Sequence, residues 1–119
     1  MPAEPILHPT LTIMDIATAG QESSEPYRNV VLNQVNECCL RLASFVGEYR
    51  WHHHPTSDEL FLVVAGLLEI DLADGRTLAL RSWQAVTIPA GTIHRTRAIG
   101  RTVNLCFEHL VSETVFVER

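Results

Sequence analysis

Four side chains set the chemistry open to this chain: His52, His54, Glu59 and His94. They stand in two punctuated stretches. The first is Gly47-Glu-Tyr-Arg-Trp-His52-His53-His54-Pro-Thr-Ser-Asp-Glu59, running on to Gly66. The second is Pro89-Ala-Gly91-Thr-Ile-His94. Three imidazoles and one carboxylate make a full protein ligand set for a divalent transition metal such as Mn, Fe, Ni, Co or Zn. An octahedral ion held this way keeps two positions for water or a chelating ligand, whereas a tetrahedral zinc would be closed by the four. Ligand type does not choose among these ions, because affinity rises along the first row for any such set.

The elements around these residues must bring them together. Residues two apart in a strand share a face, with Cα atoms roughly 6.5–7 Å apart. His52 and His54 therefore converge, and His53 points away. Pro55-Thr56-Ser57-Asp58 is turn chemistry that restarts the chain at Glu59 on a neighbouring strand, with Asp58 read as a turn residue. Pro89-Ala90-Gly91 is a second turn, ahead of His94. The same parity puts Arg50 and Glu48 in phase with His52, Phe61, Val63 and Ala65 with Glu59, and Thr92 and Thr96 with His94. The expected lining is mainly apolar, with Phe61 and Thr96 against a substrate. Arg50 would pair with a substrate carboxylate unless a bulge turns it outward. Tyr49 and Trp51 fall on the opposite face, where large rings need cover from a second subunit or the N-terminal arm, and a homodimer is expected. Glu48 is a candidate general base by position, but the simpler reading is a solvent-facing glutamate, so no separate general base is assigned.

From Asn29 onward the pattern is all-β. Val30 to Val35, Cys39 to Phe45, Tyr49 to His54, Leu60 to Ala65 and Leu68 to Leu72 read as strands, the last ended by the hairpin signal Asp74-Gly75. Thr77 to Leu80, Ala85 to Ile88, Thr92 to Ala98, Thr102 to Phe107 and Val115 to Val117 complete the series. Short strands with frequent turns imply a sandwich or barrel, here residues 28–119. Residues 1–27 carry Pro2, Pro5, Pro9, Gly20, Ser23, Ser24 and Pro26 and read as an irregular N-terminal arm, with one short strand or turn at Ile13 to Ile16.

A chain of 119 residues, 46% hydrophobic and 19% charged, is expected to form one globular domain. Its longest apolar run, Leu60 to Leu68, falls short of the ~20 residues of a membrane span, and no basic, apolar leader opens the chain. A cytoplasmic location is expected. A net charge of -5 argues against nucleic acid, and Arg95, Arg97 and Arg101 read as a solvated edge. Cys38, Cys39 and Cys106 lack metal or redox spacing and read as reduced, buried residues.

The two stretches resemble the paired motifs of the cupin superfamily, small double-stranded β-helix (jelly-roll) barrels. His52, His54, Glu59 and Gly66 match the first motif, and Pro89, Gly91 and His94 the second. The likeness runs from about Val35 to Phe107 and is nearest to compact single-domain bacterial cupins, including those similar to mannose-6-phosphate isomerase. It departs in three places. The interval from Gly47 to His52 is one residue short, Ala98 stands in place of an asparagine, and Trp83 replaces a glycine, so that turn is expected to differ. The resemblance implies a metal-binding small-molecule pocket and a metal-dependent isomerase, decarboxylase or dioxygenase acting on a small oxygen-rich substrate. A non-catalytic ligand-binding or sensor cupin is the alternative, and a storage or structural barrel is a third reading.

Overall fold

The computed structural model describes residues 4–22 and 24–119; Pro2 and Ser23 of the expected arm lie outside them. Its elements are α1 (Ile16–Gln21), β1 (Tyr27–Val35), β2 (Cys38–Glu48), β3 (His52–His53), β4 (Glu59–Ala65), β5 (Leu67–Leu72), β6 (Thr77–Arg81), β7 (Ala85–Ile88), β8 (His94–His109) and β9 (Val115–Phe116). All strand pairings are antiparallel, and they build one sheet that curls into a barrel. This is the double-stranded β-helix that the motifs imply.

β8 organises the barrel. One of its edges is shared by β2 and β3, the other by β5 and then β4. The sequence suggests two strands here, split at Ile99-Gly100-Arg101. The structure instead runs one strand of 16 residues through that point. The reason lies in β2, which pairs Gly47 with Ala98 on one side and Phe45 with Thr102 on the other, and absorbs the interruption as a bulge.

Strand alternation sorts the side chains into an inside and an outside. Phe45, Phe61, Val63, Leu68, Ile70 and Leu80 lead the core within the barrel. A second, smaller cluster of Ala19, Leu32, Leu42 and Val103 lies beneath α1 on the outer face. The expected strand or turn at Ile13 to Ile16 is instead the entry to α1, because the Asp15 carboxylate accepts the Thr18 amide (3.0 Å) and caps the helix. Arg95 and Arg97 are also not a solvated edge. Both pair with buried Asp71 (2.8 and 2.7 Å), and Arg97 reaches Glu69 as well. The Arg97 guanidinium, with Arg95 and Thr77, holds the Asp71 carboxyl well below the usual range.

Two turns show what the backbone demands. Gly66 joins β4 to β5 at φ +96°, and a Cβ there would come within 2.6 Å of Thr102 Oγ1 and 2.7 Å of the Arg101 carbonyl. Only glycine fits. Trp83, between β6 and β7, takes φ +67°, so the turn keeps the left-handed backbone a glycine would adopt, contrary to the expected change of shape. Its amide donates to Val63 O (2.7 Å), which ties the turn to β4. Cys38, Cys39 and Cys106 are all free thiols. Among the described residues no helix is long and apolar enough to cross a membrane.

Candidate metal centre and its cavity

β3 is a two-residue strand whose purpose is visible in its pairing: His52 lies opposite His94 of β8. Backbone bonds then stitch the two motifs together. The Gly91 amide donates to His54 O (2.8 Å), and the Ala90 amide donates to Asp58 Oδ1 (2.8 Å). Asp58 is thus the turn residue expected of it. Glu59 follows as the first residue of β4, facing inward. The side chains of His52, His54, Glu59 and His94 are all buried, with one ligand atom from each lying within 4.8 Å of the others.

Hydrogen bonding fixes which ring nitrogens face the centre. His52 Nδ1 meets the Arg50 carbonyl at 2.8 Å, His54 Nδ1 the Glu113 carbonyl at 3.1 Å, and His94 Nδ1 the Thr92 carbonyl at 2.8 Å. A ring nitrogen against a carbonyl must carry the proton, so in the neutral ring each Nε2 keeps its lone pair. His54 Nε2 and His94 Nε2 stand 3.4 and 3.5 Å from Glu59 Oε1. Those separations are long for a shared proton and suit atoms arranged around one ion. Glu59 Oε1 and His94 Nε2 are buried without a hydrogen-bond partner, a costly arrangement in a dry interior that a cation would relieve. Burial lowers His52 to about 4, which keeps it neutral and able to bind. Without an ion, Glu59 raises the His54 pKa, and positive charge on the facing rings outweighs burial and lowers the Glu59 carboxyl to about 2. The centre thus draws a cationic charge that a metal would supply in place of the proton. The residues fit a divalent metal.

The centre opens into a cavity of about 420 Å³, within the size range of small-molecule sites. β4 contributes Glu59 and Phe61, and β8 contributes Thr96, Asn104, Cys106 and Glu108. β1 and β2 add Tyr27, Asn29, Arg41, Ala43 and Phe45. Phe61 and Thr96 thus line it, as parity requires. Val63 is buried in the core, Ala65 is exposed, and Thr92 serves through its carbonyl.

Three expectations need correction. The lining is predominantly polar rather than apolar, because the inward faces of β1, β2 and the far half of β8 carry Asn29, Arg41, Asn104 and Glu108. Arg50 is exposed and outside the lining, its guanidinium 3.8 Å over the Phe116 ring. Tyr49 lies inside, edge-on to His52 at 5.3 Å and stacked on Tyr27 at 5.5 Å. Both placements follow from β2 ending at Glu48, which frees residues 49–51 from strand parity. Glu48 is exposed, 3.5 Å from Arg95. Trp51 is half-buried, with the guanidinium groups of Arg95 and Arg119 5.0 and 4.5 Å from its ring centroid.

Glu108 and Arg41 were missed by sequence reasoning. Glu108 is 7% exposed; its Oε1 forms an ion pair with Arg41 Nε at 2.8 Å, while its Oε2 is buried with no hydrogen-bond partner. Burial, helped by the Glu59 charge and opposed by Arg41, raises its carboxyl to about 7. A signal existed: Asn104, Cys106 and Glu108 share one parity, and ending the strand at Phe107 hid it. Burial likewise pushes the Cys106 thiol well up, which makes it a lining group rather than a nucleophile.

Residues 46–111 match the cupin domain family. An uncharacterized protein of Bacillus subtilis, YdbB, is 48% identical over 106 residues, covering 89% of this chain and 94% of its own length. A solved structure of a cupin-2 domain containing protein from Shewanella frigidimarina superposes with a TM-score of 0.76 at 24% identity, over 82% of this chain and 94% of that one. An uncharacterized conserved protein with a double-stranded β-helix domain from Klebsiella pneumoniae gives 0.74 at 16% identity, over 90% and 97%.

Proposed function

This chain belongs to the cupin domain family, and on that premise we propose that it is a metal-dependent enzyme of small molecules. His52, His54, Glu59 and His94 hold one divalent transition metal ion, and the substrate is a compact, oxygen-rich molecule taken into the adjoining cavity. The reaction is an isomerisation, a decarboxylation or a dioxygen-dependent cleavage. The observation that carries this reading is the set of three Nε2 lone pairs, freed by backbone carbonyls on each Nδ1 and gathered around Glu59. When bound, the ion supplies Lewis-acid polarisation of a substrate oxygen and, with a redox-active metal, access to dioxygen chemistry. The chain's own residues do the rest. Phe61 and Phe45 give the cavity apolar walls, Thr96 and Asn104 offer polar partners, and Glu108 brings a second carboxylate able to hold a proton beside the substrate. Three free cysteines suit the reducing cytoplasm.

Elemental analysis of the purified chain tests the centre. About one ion per chain is expected, falling below about a tenth in His52→Ala and His94→Ala. Protein purified without metal, with neither substitution changing uptake or stability, would sink the proposal. Turnover is then sought with diketones, phenols, oxalate and sugar phosphates, and activity should track metal content. Stoichiometric metal with no turnover across these classes would shift the reading to a binding or sensor cupin.

A further inference from the structure

Part of the cavity wall is built around Arg41, the one arginine in the lining among the described residues. Arg41 stands on β2 opposite Val31 of β1, and the N-terminal segment runs along β1 at that point. Ile6 bridges Val31, and the amides of Leu7 and His8 donate to Val31 O (3.0 Å) and Leu32 O (2.8 Å). This anchoring brings Glu4 to the Arg41 guanidinium. Its two carboxylate oxygens accept from Nη1 (3.0 Å) and Nη2 (2.8 Å), a two-pronged pair. Arg41 Nε forms an ion pair with Glu108 Oε1 (2.8 Å), and Nη1 also donates to Asn29 Oδ1 (3.2 Å).

The two carboxylates have different standing. Glu108 is buried in the barrel wall with its charge beside Nε, whereas the Glu4 side chain is 51% exposed and still lines the cavity. The Nη1–Nη2 edge is the part of arginine that matches a carboxylate in both geometry and charge. Glu4 is, in chemical terms, a carboxylate ligand supplied by the chain itself.

We propose that the Nη1–Nη2 edge of Arg41 is the subsite for a carboxylate of the ligand, and that Glu4 is a built-in stand-in which that ligand displaces. The inference rests on the metal-centred cavity and narrows its ligand to an acid. One end of that acid offers metal-binding oxygens and the other a carboxylate. The partly exposed Glu4 pair is a weak competitor, lowering affinity by a factor of about five at most. The role that parity gave to Arg50 falls to Arg41 on β2.

Calorimetric titration of the full-length chain loaded with Mn(II) provides the test. The probes are 2-oxoglutarate against 2-oxopentanoate, and 2-oxoadipate against 2-oxohexanoate. Each pair shares a chelating head and differs only in the distal carboxylate. That carboxylate should gain about tenfold in affinity in the parent chain in at least one pair. Glu4→Ala should widen the gain a further three- to fivefold. Arg41→Lys, which keeps a charge beside Glu108 but loses the fork, should reduce it to threefold or less. A distal gain that is absent, or unchanged in Glu4→Ala, overturns the proposal and leaves Glu4 as a strap on the fold. The Mn(II) affinity from the same samples reports separately on the metal centre. Should Mn(II) fail to bind while the distal gain persists and responds to both substitutions, the centre falls and the Arg41 subsite stands.

Discussion

Glu108 has no partner for one of its oxygens and only Arg41 for the other, and that imbalance has a thermodynamic signature. Its carboxyl is raised to about 7 in the fold, chiefly by burial, from an ordinary value of 4.5. A group raised on folding stabilises the fold fully below its unfolded value and loses that contribution as pH climbs through the folded one. Wild type should therefore lose stability relative to Glu108→Gln between about pH 4.5 and 7. His52 works in the opposite sense, since it is lowered to about 4 and charges reluctantly, so its neutral form favours the fold as pH rises towards 6.5. Being present in both proteins, it cancels in the difference. Denaturation of the two at pH 5.0 and pH 7.5, in chelator, measures the effect, and a pH-independent difference would contradict it.

Among the connecting elements, the turn at Trp83 is the one built against its residue. A bulky side chain at φ +67° costs about 1–2 kcal/mol relative to glycine, and 74% exposure leaves the indole little packing to offset it. Trp83→Gly should stabilise the chain by roughly 1 kcal/mol, less what glycine's looser unfolded state takes back. A rise in melting temperature of about 3–5 °C is the readout, and a fall would mean the ring has packing not credited to it. Such elements also mark how far sequence reasoning reaches. Parity placed Phe61 and Thr96 in the cavity because β4 and β8 are regular where those residues stand. It misplaced Tyr49 and Arg50 because three residues leave the sheet between β2 and β3, and no propensity marks that exit. The four residues of the candidate centre were legible because turns and a short strand, with strong residue signals at Pro55, Asp58, Pro89 and Gly91, set their spacing. Arg41 was not, because nothing local distinguishes an inward arginine from an outward one until Glu4 and Glu108 converge on it from distant parts of the chain.

At the scale of the molecule, an ion at this centre would join residues of β3, β4 and β8 and the turn after β3, so binding is coupled to the whole barrel. At a free metal concentration one hundred times its Kd, binding contributes about 2.7 kcal/mol, equivalent to roughly 10 °C in melting temperature for a chain of this size. Adding chelator should remove that increment from wild type and change nothing in His94→Ala; equal chelator effects in both would place the stabilising ion elsewhere. The single long β8 has a kinetic counterpart to this coupling. It is the shared partner of β2, β3, β4 and β5, yet it follows all four in the chain. During synthesis those strands emerge before the one that closes them, and only local pairs such as β1 with β2 and β5 with β6 can form early. Barrel closure is then a late, non-local event of the kind that slows folding and leaves strand edges open to aggregation. His94, at the head of β8, arrives with that closing strand. An ion taken up by all four side chains would therefore report a completed topology, and slow refolding should be seen as a delay in metal capture.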